Sequence, residues 1–304
     1  MKVLNVGSLN IDHTYQLERI VAPGETITSK QMSVYAGGKG LNQSIAIARA
    51  GIDVYHAGKI GIDGQFLIEL CNDSGVNSTF IETGVIPTGN AIIQVTSQGQ
   101  NSIILYPGAN RSLDKAWIDK VLTEFSKGDI LLLQNEVNLI DYIIIEGKKK
   151  GMNIFLNPSP YDEYIDKCDL SLVNTFLMNE VEGAQITGCY DPECILTRMK
   201  NLYPQAKVVL TLGQDGVYFQ DKEQRVYQPA RTVKAVDTTG AGDAFWSGFY
   251  TGAGDTFTGY YIAAVIEGKS AIEALTFATN AAALAVMKAG AANAIPKRHD
   301  VEKY

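Results

Sequence analysis

Histidine and cysteine are scarce in this chain, with three and four residues in 304. That scarcity removes whole classes of chemistry. Zinc centres are built from clustered His and Cys ligands, and none is expected here. Cys71, Cys168, Cys189 and Cys194 form no CxxC pair, so they read as free or buried thiols of a reducing cytoplasm. Positive charge is also thin: the formal net charge is -7, and no Lys/Arg run exceeds "KKK" at 148–150. A nucleic-acid surface needs a basic face, so no nucleic-acid partner is expected. An anionic small substrate stays open, because a phosphate site needs only local donors. No apolar run reaches the length that crosses a bilayer, so no membrane association is expected. The opening "MKVLNVGSLN" runs straight into a strand pattern with no apolar core ahead of a small-residue cleavage site. It is not read as a signal peptide, and a cytoplasmic location is expected.

The common nucleotide motifs are missing too. "GGKGLN" at 37–42 lacks the third glycine of GxGxxG. "EGKS" at 267–270 ends like a P-loop, but Ala263 stands where the first glycine belongs, and "GYYIAAVIEG" before it reads as a helix end.

What is present is a 46% apolar, 19% charged composition, which suits one large globular domain with an appendage. Near-continuous apolar runs such as "VLNVGSL", "DILLLQ" and "KVVLTLG" alternate with helical patterns such as "LNQSIAIARAG" and "DPECILTRMKNLY". That alternation predicts an α/β fold with a parallel sheet covered on both faces. Two stretches, about 12–36 and 88–108, read as extended pieces without helices, and together they suggest a small β-sheet lid. The whole chain, 1–304, is then one domain.

Ligands of open α/β sheets lie beyond the C-terminal strand ends, and several polar groups are placed there. Asn10 and Asp12 in "GSLNID" point the same way on an extended chain and suit a polyhydroxylated ligand; an Asx turn explains them equally well. "AGGKGLNQS" at 36–44 sets glycines, Lys39 and Asn42 at a helix start, where backbone comes close to a ligand. Glu136 ends the strand "ILLLQNE", and "NPSP" ends the next strand. Asn179 and Glu182 in "MNEVEG" share a helix face that could hold a hydrated Mg²⁺, or simply start a helix. Thr211, Gly213 and Gly216 surround a tight turn, either a nucleotide approach or a hairpin. Finally "VDTTGAGDAF" at 236–245 sets an anion nest, Gly240, Ala241 and Gly242, ahead of Asp243, a candidate proton acceptor. Nest plus base fits phosphoryl transfer.

In order and spacing these motifs, with "PGETIT", "PGANRSL", "NEVEGAQITG" and "AAALAVMKAGA", resemble the ribokinase family of carbohydrate kinases, of the phosphofructokinase-B type, over nearly the whole chain. The resemblance implies a three-layer α/β/α fold with a mostly parallel central sheet and the β lid. It implies ATP-dependent phosphorylation of ribose at O5. The sugar would meet Asn10, Asp12, Gly38, Lys39, Asn42 and Glu136, with Ala91 and Leu105 covering it from the lid. ATP would lie along Asn179, Thr211, Gly213, Gly216, Thr279 and Asn280, with Glu182 assisting Mg²⁺ through water. Gly240, Ala241 and Gly242 would form the anion hole, and Asp243 the base. An activating K⁺ would sit beside Asp237, Thr239, Gly290 and Ala294, and a homodimer would form through the lids. Three positions depart from the pattern: Ala294 in place of a serine, Thr279 at the adenine position, and Phe66 in place of a glycine.

The largest departure is a repeat. TGAGD occurs at 239–243 and again at 251–255, so about one copy is surplus. Asp237 six residues before Asp243, and the strand-like "VKAVDTT" leading into the first copy, favour Asp243. The second copy then reads as a glycine-rich break within a longer helix. Other acceptors (deoxyribose, fructose, a nucleoside) and a catalytically impaired sugar-binding protein are the alternatives.

Overall fold

The computed structural model describes residues 1–98, 100–231, 252–288 and 290–304. A nine-stranded sheet forms its centre. Strands β1 (Val3–Val6), β4 (Val54–Gly61), β5 (Asn77–Gly84), β8 (Ile130–Gln134), β9 (Asn153–Asn157), β10 (Thr175–Asn179) and β11 (Lys207–Thr211) all run parallel. Antiparallel β12 (Val217–Gln220) and β13 (Arg225–Gln228) close one edge, and the order is β13-β12-β11-β10-β9-β8-β1-β4-β5.

The unbroken apolar strands follow from burial on both faces. In β8 every residue is buried; Ile130 and Leu132 enter one core, Leu131 and Leu133 the other. The first core is covered by α1 (Lys39–Arg49), α2 (Gln65–Asp73), α8 (Ala253–Ile266) and α9 (Ala271–Val286). Helices α3 (Lys115–Leu122), α4 (Ile140–Lys149) and α7 (Pro192–Leu202) cover the second. This is the expected three-layer α/β/α arrangement.

A second sheet, in the order β3-β2-β6-β7, is built from β2 (Asn10–Leu17), β3 (Gln31–Gly37), β6 (Gly89–Thr96) and β7 (Asn101–Tyr106). β6 and β7 lie within the second stretch read as helix-free, while β2 and β3 extend past the first by two residues and one. β2 leaves the C-terminal end of β1 after three residues, so this sheet rises from the edge where ligands of such folds bind.

One expectation is corrected. Cys189 and Cys194 are joined in a disulfide rather than free, while Cys71 and Cys168 are free thiols. The reason is local: α6 (Glu180–Thr187) ends at left-handed Gly188 and α7 starts at Pro192 behind its Asp191 cap. The tight reversal brings residues five apart to a Cα separation of 5.8 Å. Of the second TGAGD, Gly252 to Asp255 are among the described residues, and they form the start of a helix. Gly252 has a left-handed backbone, φ 56° and ψ 32°, and α8 begins at the next residue; an L-residue helix does not contain that conformation. "EGKS" lies between α8 and α9, where Ser270 caps α9 in a capping box, in keeping with its reading as a chance P-loop match.

α1 and α8 lie side by side in the same sense: Asn42 and Gln43 meet Asp255, and Ala46 meets Gly259 four residues on. A Cβ on Gly259 would stand 2.4 Å from the Ala46 Cβ and 2.8 Å from backbone atoms of Ala46 and Ile47. Gly259→Ala should therefore destabilise the protein by about 1–3 kcal/mol, overriding the ~1 kcal/mol that alanine adds in a helix. Urea unfolding measures this; an unchanged or raised midpoint would show that the seam is loosely packed.

Candidate active site

Between the C-terminal edge of the central sheet and the inner face of the β2-β3-β6-β7 sheet lies a cavity of about 730 Å³, within the range that takes small ligands. β2 enters it from β1, and its pleat turns Asn10 and Asp12 to the same side. Ala91 and Ile93 on β6, and Ile103 and Leu105 on β7, face in from the small sheet. All eight residues expected to meet the sugar line this cavity: Asn10, Asp12, Gly38, Lys39, Asn42, Ala91, Leu105 and Glu136.

The start of α1 is the most polar wall. Gly38, its N-cap, has φ 96°, a conformation that glycine adopts without the steric cost of a side chain. The chain then enters the helix beside Ser8, whose carbonyl accepts from the Leu41 N–H at 2.9 Å. Glu136 takes a hydrogen bond from the Ser8 hydroxyl and one from the Lys39 N–H at 3.0 Å. On the other side, Asn42 Nδ2 donates to Asp255 Oδ2 at 3.0 Å and Gln43 Nε2 to Oδ1 at 2.8 Å.

Asp12, Glu136 and Asp255 thus share the cavity wall with the Lys39 ammonium; Asp255 is buried and the other three are half-buried. Burial raises the carboxyl pKa of Asp255, against the opposing pull of Lys39 and the two amides. Burial likewise raises that of Glu136, helped by repulsion from Asp255 and resisted by Lys39 and Ser8. For Lys39 burial works to lower the value, yet attraction from Asp255, Glu136 and Glu182 leaves it above its ordinary position. The ammonium therefore stays charged. Asp12 is pushed up to about 7, by burial first and then by Glu136.

The nucleotide-side expectations are met unevenly. Asn179, Thr211, Glu182 and Gly290 line the cavity; Gly213, Gly216, Thr279, Asn280 and Ala294 do not. Gly213 and Gly216 form the turn of the β11–β12 hairpin. The Asn280 carbonyl accepts from Arg231 at 2.8 Å, and Ala294 is fully buried. Asn179 and Glu182 make a capping box at the start of α6, with the Asn179 N–H on Glu182 Oε2 at 2.8 Å. Gly240, Ala241, Gly242 and Asp243, with Asp237 and Thr239, lie outside the described residues.

Sequence reasoning set Asp255 second and passed over Gln43. Yet Asp255 stands buried in the first turn of α8, at a helix start whose Gly252, Gly254 and Asp255 line the cavity. Two adjacent amides in the first turn of "KGLNQS" were the available signal, since a helix start with paired amides can hold a carboxylate.

The sequence model of the pfkB family carbohydrate kinases matches residues 1–251 and 250–298. The two matched stretches overlap at residues 250–251, where the second TGAGD begins. The chain is 33% identical to a ribokinase of Haemophilus influenzae over 313 residues, covering 100% of this chain and 98% of that one. It is 31% identical to a deoxyribokinase of Salmonella typhi, covering 84% and 87%. Among solved structures, an Arabidopsis thaliana ribokinase complexed with ribose and ATP is 30% identical, with a TM-score of 0.82 over 99% of this chain and 97% of that one.

The raised Asp12 carboxyl has a consequence for stability. In the folded protein its pKa is pushed up to about 7, whereas in an unfolded chain it lies at the ordinary 3.8. Its contribution to folding is full below the lower value and lost as pH rises through the higher one. Asp12→Asn should therefore gain about 1–2 kcal/mol relative to the parent between pH 4 and pH 8. This is less than the whole displacement, because the carboxyl opens on the cavity. Denaturant midpoints across that range read it; parallel curves would contradict it.

Proposed function

The chain belongs to the pfkB family of carbohydrate kinases, and from that premise we propose that it transfers the γ-phosphoryl group of ATP to O5 of D-ribose, giving ribose 5-phosphate and ADP. The observation that carries this reading is the cluster of Lys39, Asn42, Glu136 and Asp255 about the start of α1, in a cavity that Asn10 and Asp12 also line. Amide and carboxylate groups bind sugar hydroxyls, and a helix start beside them holds phosphate.

We assign Asp255 the role of base. The 5-hydroxyl loses its proton to the Asp255 carboxylate as its oxygen attacks the γ-phosphorus. The bond from that phosphorus to the β,γ-bridging oxygen breaks, and ADP carries the electron pair away. Phosphoryl transfer asks mainly for positioning and charge stabilisation. The open N–H groups of Ala253, Gly254 and Asp255 supply a nest for the transferring group. Lys39 sets a fixed positive charge beside both reactants. A carboxyl raised by burial is a stronger base than an exposed one, which suits work near neutral pH. Asp255 is here proposed in the role expected of Asp243, which lies outside the described residues.

Mg²⁺ bound with ATP neutralises phosphate charge. Glu182 fits a water-mediated role: its oxygens accept from Asn179 but keep lone pairs for metal-bound water. For K⁺, Gly290 at the cavity wall offers backbone, while Asp237 and Thr239 fall outside the described residues. Activation by K⁺ over Na⁺ is part of the proposal. Among the described residues no helix is long and apolar enough to cross a membrane; use of ATP and free sugar suits the cytoplasm.

A homodimer through the small sheets belongs to the same proposal. The face of that sheet turned from the cavity exposes Met32, Val34, Ile92, Ile104 and Tyr106, an apolar patch of the kind that marks protein contacts. Ile104→Lys should shift sedimentation from dimer to monomer; a parent that sediments as a monomer would remove the idea.

The central test is ADP release with ribose, Mg-ATP and K⁺, compared with deoxyribose, fructose and nucleosides. Ribose should give the highest kcat/KM, and Asp255→Asn should lower kcat by about 10²–10⁴ with ribose still bound. If Asp243→Asn is the silent variant and Asp255→Asn keeps turnover, the assignment fails. Ribose binding without ADP from the parent would favour a sugar-binding protein.

A further inference from the structure

A chain of fully buried side chains runs from Asp255 into the protein. Gln43 gives its amide N–H to Asp255 Oδ1 at 2.8 Å, and its own carbonyl accepts from Gln134 Nε2 at 2.7 Å. Gln134 Nε2 also donates to Asn5 Oδ1 at 3.0 Å. Asn5 Nδ2 then donates to the Gly40 carbonyl and to Ser44 Oγ, both at 2.8 Å. Ser44 Oγ lies 2.8 Å from His56 Nδ1, and His56 Nε2 lies 3.2 Å from the Gly7 carbonyl. Asn5, Gln43, Ser44, His56 and Gln134 are all 0% exposed.

The direction of this chain is fixed at both ends. An ionised carboxylate and a backbone carbonyl only accept. Asp255 therefore requires the Gln43 amide nitrogen, which turns the Gln43 carbonyl to Gln134, and Gln134 must answer with its own nitrogen. At the far end the Gly7 carbonyl requires the proton on His56 Nε2, so Nδ1 accepts from Ser44. Burial holds His56 neutral, its pKa lowered to about 4, and the direction does not reverse at ordinary pH. A flipped Gln43 would set its carbonyl against the carboxylate and its NH₂ against that of Gln134.

The two oxygens of Asp255 are thus unlike. Oδ1 is bound from inside by Gln43, which does not line the cavity. Oδ2 is bound by Asn42, which does, and lies on the side of Gly252, also a lining residue. We propose that Gln43, locked by Gln134, is a positioning residue that pins Oδ1 of Asp255 and leaves Oδ2 as the oxygen that receives the sugar proton. This rests on the kinase reading above, with Asp255 as base.

The Gln43 donor also favours the ionised carboxylate, which lowers the pKa from where burial alone would put it. The other charged groups bearing on Asp255 among the described residues are Lys39 on α1 and Glu136 beyond β8. The α9 helix packed against α8 carries a single ionisable residue, Glu273, and it is exposed.

The experiment compares the parent with Gln43→Met, a swap of similar volume, and with Gln134→Met, which leaves Gln43 in place but frees its amide. The ¹³C resonance of the Asp255 carboxyl, assigned by its loss in Asp255→Asn, is titrated in each. In Gln43→Met it should titrate about one pH unit higher, so that kcat below the midpoint falls about tenfold while KM for ribose stays put. Gln134→Met should move it the same way by less. A folded Gln43→Met whose Asp255 titrates as in the parent overturns the proposal. So does a lowered melting temperature with the titration and the acid limb of kcat both unmoved, because that is a purely structural role. A shifted titration in a protein that phosphorylates no sugar would keep the relay and overturn the kinase reading instead.

Discussion

A carboxylate taken out of water must be met by donors, and most of this site follows from how Asp255 is met. Its partners are not neighbours in sequence: Asn42 and Gln43 lie more than two hundred residues away, at the start of α1. They reach it only because α1 and α8 lie against each other with their first turns level, a seam set by Gly259 against Ala46. An unpaired buried charge costs several kcal/mol, so displacement of either helix would be felt at the carboxylate first. The core packing and the chemistry are one constraint here, because the apolar seam fixes the distance at which the polar one operates.

The parallel sheet supplies the rest of the arrangement. β1, β8 and β10 end at the same edge, and Asn10, Glu136 and Asn179 are the residues their ends or the following turns deliver there. The small sheet, continuous with β1 through β2, closes the opposite side. The site is therefore assembled from strand ends that the fold must align anyway, with α1 and α8 adding the charged wall.

Much of this was legible in sequence. Unbroken apolar strands such as "ILLLQ" read as strands covered on both faces, and each became a central strand. Asn10, Asp12, Gly38, Lys39, Asn42 and Glu136, which line the cavity, were legible because they sit near strand ends or in a glycine-rich helix start, features that leave local marks. The nucleotide side was less legible: Gly213 and Gly216 satisfy a hairpin as well as a ligand, and the structure shows the hairpin. The base falls between two identical pentapeptides, and local sequence cannot tell which copy meets Asn42 and Gln43; among the described residues that contact belongs to Asp255. Likewise the Cys189–Cys194 bond arises from a reversal between two helices, which a search for CxxC spacing does not detect. The buried relay through Gln134 and Asn5 was invisible for the same reason: its members sit on separate strands and a helix, brought together only by sheet order.

The central claim is that the proton of the sugar hydroxyl goes to Asp255. A crystal structure with ribose and a non-hydrolysable ATP analogue tests it most directly. The account predicts the ribose 5-hydroxyl within about 2.5–3.0 Å of Asp255 Oδ2, with the analogue's terminal phosphate over the start of α8. A 5-hydroxyl held by Asp243 instead, with Asp255 buried away from both ligands, would contradict it.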